Sequence, residues 1–474
     1  METPWINKEL KYLTRKKKNL RYKNCARKWK DANLSKDYKI LCRIIKSEVK
    51  RSRMNYEQDL IKKAKQNPKL LYKYINNQLV VKNSIKALQK EDGYISQDQV
   101  EIANILNKCF QDVFVIEPDG ALPKFESRFS NYATNFSDIS PDEINYNDVL
   151  KSLNENKAFG PDKLHPAMLK NASEAFALPL ILIFRESSVG NQANFQFLDL
   201  QIQLLFSKKV TRELQLIIDQ FPSRQLCAKY LKIKSCATNL LATIDFITLN
   251  IKNLTPVDIV LLEFAKAFDT VPHNRLLLKL RAYGIDGLVL KWIASFLTSR
   301  RQRVVKGDIV SDWVEVFSGV PHGSVIGPFL FVVFINDFPD TIKNVSKLYA
   351  DDIKILSIVN SDLCVKEIQN NLNKAFEWTQ DWLLKFNISK CVVMHYGSTN
   401  KSYPLFINGI QLHDSKSERD LGIIFSTNLK WKDQVTMAIG KAYQMLGRIK
   451  KSFSHSNNIT PISINAPTKN FTCI

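Results

Sequence analysis

The sequence predicts an α+β fold built on an antiparallel sheet, and three observations predict it. Apolar residues recur at helical spacing among lysines and arginines over roughly the first 80 positions. Strand-like and helical segments alternate from Pro256 to Phe425. A short apolar segment, Leu348-Tyr349-Ala350-Asp351-Asp352-Ile353-Lys354-Ile355, holds two adjacent aspartates with no turn residue among them. With 474 residues and 45% hydrophobic content the chain can bury a large core, divided into roughly two to four packed units.

Composition narrows the function before any motif is considered. The 68 Lys and Arg against 46 Asp and Glu leave a formal charge of +22, clustered rather than spread, which points to a polyanionic partner. A basic surface kept for solubility is the alternative. The eight cysteines include no Cys-x-x-Cys pair and no neighbouring histidine pair, so reduced thiols are expected and a zinc site is not. No apolar leader follows Met1, and the most apolar run, residues 329–335, falls far short of the roughly 18 residues of a membrane span. The expectation is a soluble intracellular chain, in nucleus or cytoplasm, with no membrane contact.

In chain order, residues 8–30 hold eleven Lys/Arg and one acid, with Leu and Tyr at helix-like intervals, and helices with a basic face are expected to about residue 78. Such a face is either a solvated surface or a nucleic-acid contact, and the run also suits a nuclear-localisation patch. Residues 117–145, rich in Pro, Ser, Asn and Asp, read as a linker. From Pro256 come strand-like VDIVLLEF, helical LLLKLRAYG and LVLKWIASFL, then strand-like RVVKG and WVEVFSG. The last clear element, residues 431–453, spaces Val435, Ile439, Tyr443, Leu446 and Ile449 as an amphipathic helix with a basic back.

The aspartate pair suits the tip of a tight hairpin. Adjacent acids in an apolar setting repel unless a cation neutralises them, so the pair is a metal-site candidate, although Asp-Asp in an exposed turn is the commoner occurrence. A second acid, Glu263, interrupts the apolar run 260–264, which a buried strand should not tolerate unpaired; an edge strand would tolerate it. Two strands delivering acids to one point could hold two magnesium ions, able to activate a primer hydroxyl and neutralise a leaving pyrophosphate.

Six ordered motifs then resemble the reverse transcriptases of non-LTR, LINE-like retrotransposons of the jockey type. They are FGPDKLHPAMLK (159–170), LLEFAKAFDTVPH (261–273), SGVPHGSVIGPFLFVVFINDFP (318–339), KLYADDIKI (347–355), NISKCVVMHYG (387–397) and ERDLGIIFSTNLKW (418–431). The resemblance covers most of residues 4–453 and implies a right-hand polymerase. It divides the chain into a basic helical pre-polymerase region (1–116), the linker (117–145), fingers (146–255), a palm with an antiparallel sheet (256–425), and a thumb remnant with an irregular end (426–474). It implies an RNA-directed DNA polymerase using two magnesium ions, with manganese as a substitute, and RNA template, DNA primer and deoxynucleoside triphosphates as partners. Glu263, Asp351 and Asp352 would form the metal-binding acidic triad and Lys390 the proton donor to pyrophosphate. Phe268 would be the steric gate against ribonucleotides, and His322 and Gly323 would lie at the nucleotide or template. Leu421 and Gly422 would belong to the loop gripping the primer end.

Three departures point to impairment. Position 263 is Asp in the family and Glu here, and the extra methylene moves the carboxylate by about 1 Å where catalytic groups tolerate about 0.5 Å. His322 stands where the family has Gln, exchanging a two-sided amide for a ring with one donor and one acceptor when neutral. Between fingers and palm the family carries a string of the form IFKKG…NYRPISLTS, absent here. Residues 205–229, LFSKKVTRELQLIIDQFPSRQLCAK, can be reread one base over, with codons freely assigned, as IFKKGDKRVAINYRPISLTSVVCK. Residues of about 198–234 are therefore expected to be frameshifted or disordered, losing the basic side chains that hold the incoming triphosphate. With the family's upstream endonuclease also lacking, the expectation is a degenerate fragment: a polymerase domain with reduced activity or, alternatively, a catalytically inactive nucleic-acid-binding relic.

Overall fold

The computed structural model describes residues 4–64, 66–78, 85, 87–90, 93–126, 146–151, 166–176, 178–179, 236–324 and 326–453. The 198–234 segment, residues 159–165 of the first motif and residues 454–474 lie outside that set. The described residues fall into two compact units, one drawn from Met1–Ser84 and Trp431–Thr472, the other from Ile85–Lys430.

In the first unit, Asn7 caps helix α1 (Lys8–Ala26) by accepting from the Leu10 amide at 2.8 Å. A reversal through left-handed Lys28 and Trp29 leads to α2 (Ala32–Ala64), and buried Asn24 bridges the two helices by donating to Leu20 O and Leu34 O. Helix α3 (Pro68–Gln78) and the helix Lys432–Ser452 complete the unit. Its small core gathers Trp5, Tyr56, Leu60, Tyr74, Ile75 and Phe453. Glu57, 4% exposed, is compensated by Arg53 and Tyr74, each at 2.8 Å, and Arg53 reaches on to Ser452 O at 3.0 Å.

The second unit is organised by a five-stranded sheet. Its strands are β1 (Val257–Glu263), β2 (Val345–Tyr349), β3 (Asp352–Ile358), β4 (Val392–Tyr396) and β5 (His413–Asp414), in the order β5-β4-β1-β3-β2. All neighbours are antiparallel except β4 and β5. Strand β1 is central and largely apolar on both faces, as a strand covered from both sides tends to be, and its buried Asp258 is paired with His395 at 2.7 Å. One face, through Val260, Leu262, Ile353, Ile355 and Val393, joins the main core. Helices α6 (His273–Ala282), α7 (Gly287–Leu297), α8 (Ile326–Ile335) and α9 (Asp362–Trp382) contribute to that core; α4 (Gln99–Gln111) and α5 (Cys236–Lys252) precede the sheet in the chain and lie outside that core. The other face, through Val257, Ile259, Leu356, Met394 and Tyr396, packs against α5 and a hairpin of β6 (Ser417–Asp420) and β7 (Ile423–Ser426).

This is the mixed helix and sheet protein that the alternating pattern predicts. Helix α8, the most apolar segment, is buried on nearly every side, which explains its lack of a polar face. Among the described residues no helix is long and apolar enough to cross a membrane.

Candidate active site

Strands β2 and β3 form a hairpin whose closing pair is Tyr349 and Asp352, leaving Ala350 and Asp351 as a two-residue turn. Ala350 takes the left-handed conformation, φ 51°, that such a turn demands at its first position. Asp351 is thereby set at the tip and Asp352 at the first rung of β3. Across the sheet, Asp352 stands directly opposite Glu263, the last residue of β1. Two sequence-distant segments so deliver three carboxylates to one end of the sheet. Glu263 sits on the central strand rather than an edge, and its charge is met by Lys390, whose Nζ lies 2.5 Å from Oε1.

The electrostatics follow from this crowding. Burial pushes the Asp352 carboxyl up to about 6, and the charges of Asp351, Asp420 and Glu263 push the same way against the pull of Lys354. The Glu263 carboxylate holds the Lys390 ammonium above its ordinary range. Mutually repelling oxygen donors suit a hard divalent cation such as magnesium or manganese. As the side chains stand, however, no three His, Cys, Asp or Glu among the described residues are gathered to ligate one ion. One oxygen of Glu263, Oε1, is engaged by Lys390.

The remaining expected residues form a neighbouring group. Phe268 stacks on Phe331 with ring centroids 4.5 Å apart and meets the His322 ring at 5.6 Å. The loop before His322 is stapled to the segment after Phe268: Val320 N donates to Phe268 O and Gly319 N to Val271 O, both at 2.8 Å. A β-carbon on Gly319 would stand 2.6 Å from Asp269 O, so only glycine permits this approach. His322 Nε2 is 2.8 Å from Asp269 Oδ1, a bond between two exposed side chains that orients the ring beside Phe268. Gly323 has φ +78° and open space where a side chain would point. Leu421 and Gly422 form the two-residue tip of the β6–β7 hairpin, with φ 45° and 89°.

Four residues that the motifs did not single out complete the surroundings: Asp269, and a buried trio of Asn239, Lys354 and Asp420. Strand alternation alone would have placed Lys354 on the same face as Asp352, since the two are separated by one residue. The sequence offers no comparable signal for its partners.

Residues 208–437 match the profile of the family described as reverse transcriptase (RNA-dependent DNA polymerase). The chain is 28% identical over 188 residues to the RNA-directed DNA polymerase from mobile element jockey of Drosophila funebris, covering 37% of this chain and 20% of that protein. It is 29% identical over 185 residues to its counterpart of Drosophila melanogaster, with the same two coverages. The chain thus spans about a fifth of the length of these curated relatives. Among solved structures, apo telomerase from Candida Tropicalis truncated from its C-terminal domain aligns over 55% of this chain and 48% of its own. The identity is 13% and the TM-score 0.35, too slight to carry an argument.

Proposed function

We propose that the chain, whose residues 208–437 match the reverse transcriptase (RNA-dependent DNA polymerase) family, carries the polymerase portion of a non-LTR mobile element, impaired in this copy. The observation that carries the proposal is the register that sets Glu263 opposite Asp352, one residue from the Asp351 turn. In this reading the second unit contains the palm, and Glu263, Asp351 and Asp352 hold two magnesium ions, or manganese. When bound, these would supply Lewis-acid activation of the primer hydroxyl and neutralisation of the leaving pyrophosphate.

The chain's own groups have distinct tasks. Lys390, held protonated above its ordinary range, is placed to give a proton to the pyrophosphate oxygen. Phe268, braced by Phe331, is the wall against a ribonucleotide 2′-hydroxyl, and His322, fixed by Asp269, borders the same space. Gly323 leaves room for template or nucleotide to approach the backbone, and Leu421 and Gly422 contact the primer end. Impairment follows from Glu263: its longer side chain reaches Lys390 and is neutralised there, when it should face the metals with Asp352.

Primer extension on an RNA template with magnesium or manganese tests this. Slow extension is expected, abolished by Asp351→Ala and raised about tenfold or more by Glu263→Asp, which restores a carboxylate within about 0.5 Å of the productive place. Salt-dependent binding of primer–template without extension, even in Glu263→Asp, would sink the enzyme reading. It would favour the nucleic-acid-binding relic, which the +22 charge also supports.

A further inference from the structure

Lys354 is a lysine with 1% exposure in the middle of a sheet. Its ammonium donates to Asn239 Oδ1 at 2.8 Å and pairs with Asp420 Oδ2 at 2.6 Å, and Asp420 is itself 8% exposed. Asn239, on α5, also donates through Nδ2 to Leu348 O at 3.4 Å. The trio therefore ties α5 to both strands of the aspartate hairpin, because Leu348 lies on β2 and Lys354 on β3. It reaches at the same time to the residue immediately before the Leu421-Gly422 tip.

Stability alone does not account for such a pair. A buried ion pair is commonly no better than well-packed apolar residues, and here the surrounding side chains, Leu240, Leu356, Phe425 and Leu421 among them, offer an apolar alternative. What an apolar contact lacks is direction. A charge-assisted bond fixes the distance and angle between two segments, while a Leu–Leu contact tolerates sliding.

We infer that the Lys354–Asp420 pair, seated on Asn239, is a positioning device that holds the Leu421-Gly422 tip at a set place relative to Asp351 and Asp352. A primer 3′ end contacted at the tip is thereby presented to the carboxylates; this part rests on the active-site reading above. None of the three residues touches the reacting atoms. They act through the two hairpins they join.

Two variants of the full chain test it. Lys354→Met combined with Asp420→Leu removes both charges without stranding either, and Asp420→Asn keeps the shape of the acid while removing the ion pair. Amide exchange at residues 421–424 is followed by mass spectrometry, beside thermal unfolding and affinity for a fluorescent RNA template annealed to a DNA primer. Both variants should fold, with tip exchange about tenfold faster or more and β1 still protected, because local opening is decoupled from global unfolding. Primer–template affinity should weaken by about tenfold, a change that simple loss of stability would not produce below the melting temperature. Unchanged tip exchange in a folded variant overturns the inference. Loss of folding in both variants does so too, since it assigns the trio to stability alone. Faster tip exchange with unchanged affinity overturns the link to the primer end. A parent chain that binds no primer–template refutes the active-site reading instead, and the exchange measurement still decides the positioning role.

Discussion

His273 closes the motif that begins at Leu261, and its imidazole is 6% exposed with Nε2 2.9 Å from Gly319 O. Burial, only partly offset by that carbonyl and reinforced by the charge of Arg300, pushes its pKa from 6.5 down to about 4. In the folded chain the ring stays neutral, while the unfolded chain takes up a proton as soon as pH drops below 6.5. Its contribution to stability is therefore full above pH 6.5 and lost as pH falls toward about 4. Melting temperature measured across that window should decline, and His273→Gln, which keeps a donor but does not titrate, should flatten the decline; an unchanged slope would remove His273 from the account. Residues of this scale were unevenly legible. Glu263, Asp351 and Asp352 stand out in sequence because charge in an apolar strand is anomalous. The contact between Glu263 and Lys390 does not, because its partners are 127 residues apart.

The β6–β7 hairpin shows what an element can and cannot announce. Leu-Gly at its tip is a weak turn signal, yet both residues adopt positive φ, the geometry that matches the twist of the flanking strands. Gly422, at φ 89°, is a position where a side chain is strained. Gly422→Ala should cost about 1–3 kcal/mol by chemical denaturation and should weaken primer–template binding in the same variant. No change in stability would show that the tip relaxes freely. The long amphipathic and basic helices were readable from periodicity, and α1, α2 and Lys432–Ser452 lie close to the expected positions. Helix α8 is apolar all round, so its sequence identifies a buried segment without saying which neighbours bury it.

At the scale of the whole molecule the excess of positive charge is the dominant property. If the partner is a nucleic acid, affinity for primer–template should fall by about 10³-fold or more between roughly 50 and 200 mM salt, as counterions compete for the phosphates. Arg15, Lys16 and Lys18 are exposed on α1, and replacing them with Gln should make that dependence shallower. Binding indifferent to salt would mean that the charge serves solubility. The nucleotide sequence across codons 190–240 bears on the same scale, because codons that do not yield NYRP one base over would dismiss the frameshift and with it part of the expected impairment.

By itself the sequence pointed to a family resemblance, through six motifs in order, and to the α+β class, through the switch from helical to strand periodicity. It also marked the three carboxylates, because local chemistry is written in local residue types. The tertiary structure decided which of these groups meet. It set Glu263 on the central strand opposite Asp352, gave it to Lys390, and buried Lys354 against Asn239 and Asp420. It also gathered the helix Lys432–Ser452 into one unit with the basic N-terminal helices. These are pairings between distant segments, and a buried charge selects its partner by geometry that exists only once strands and helices have closed around it.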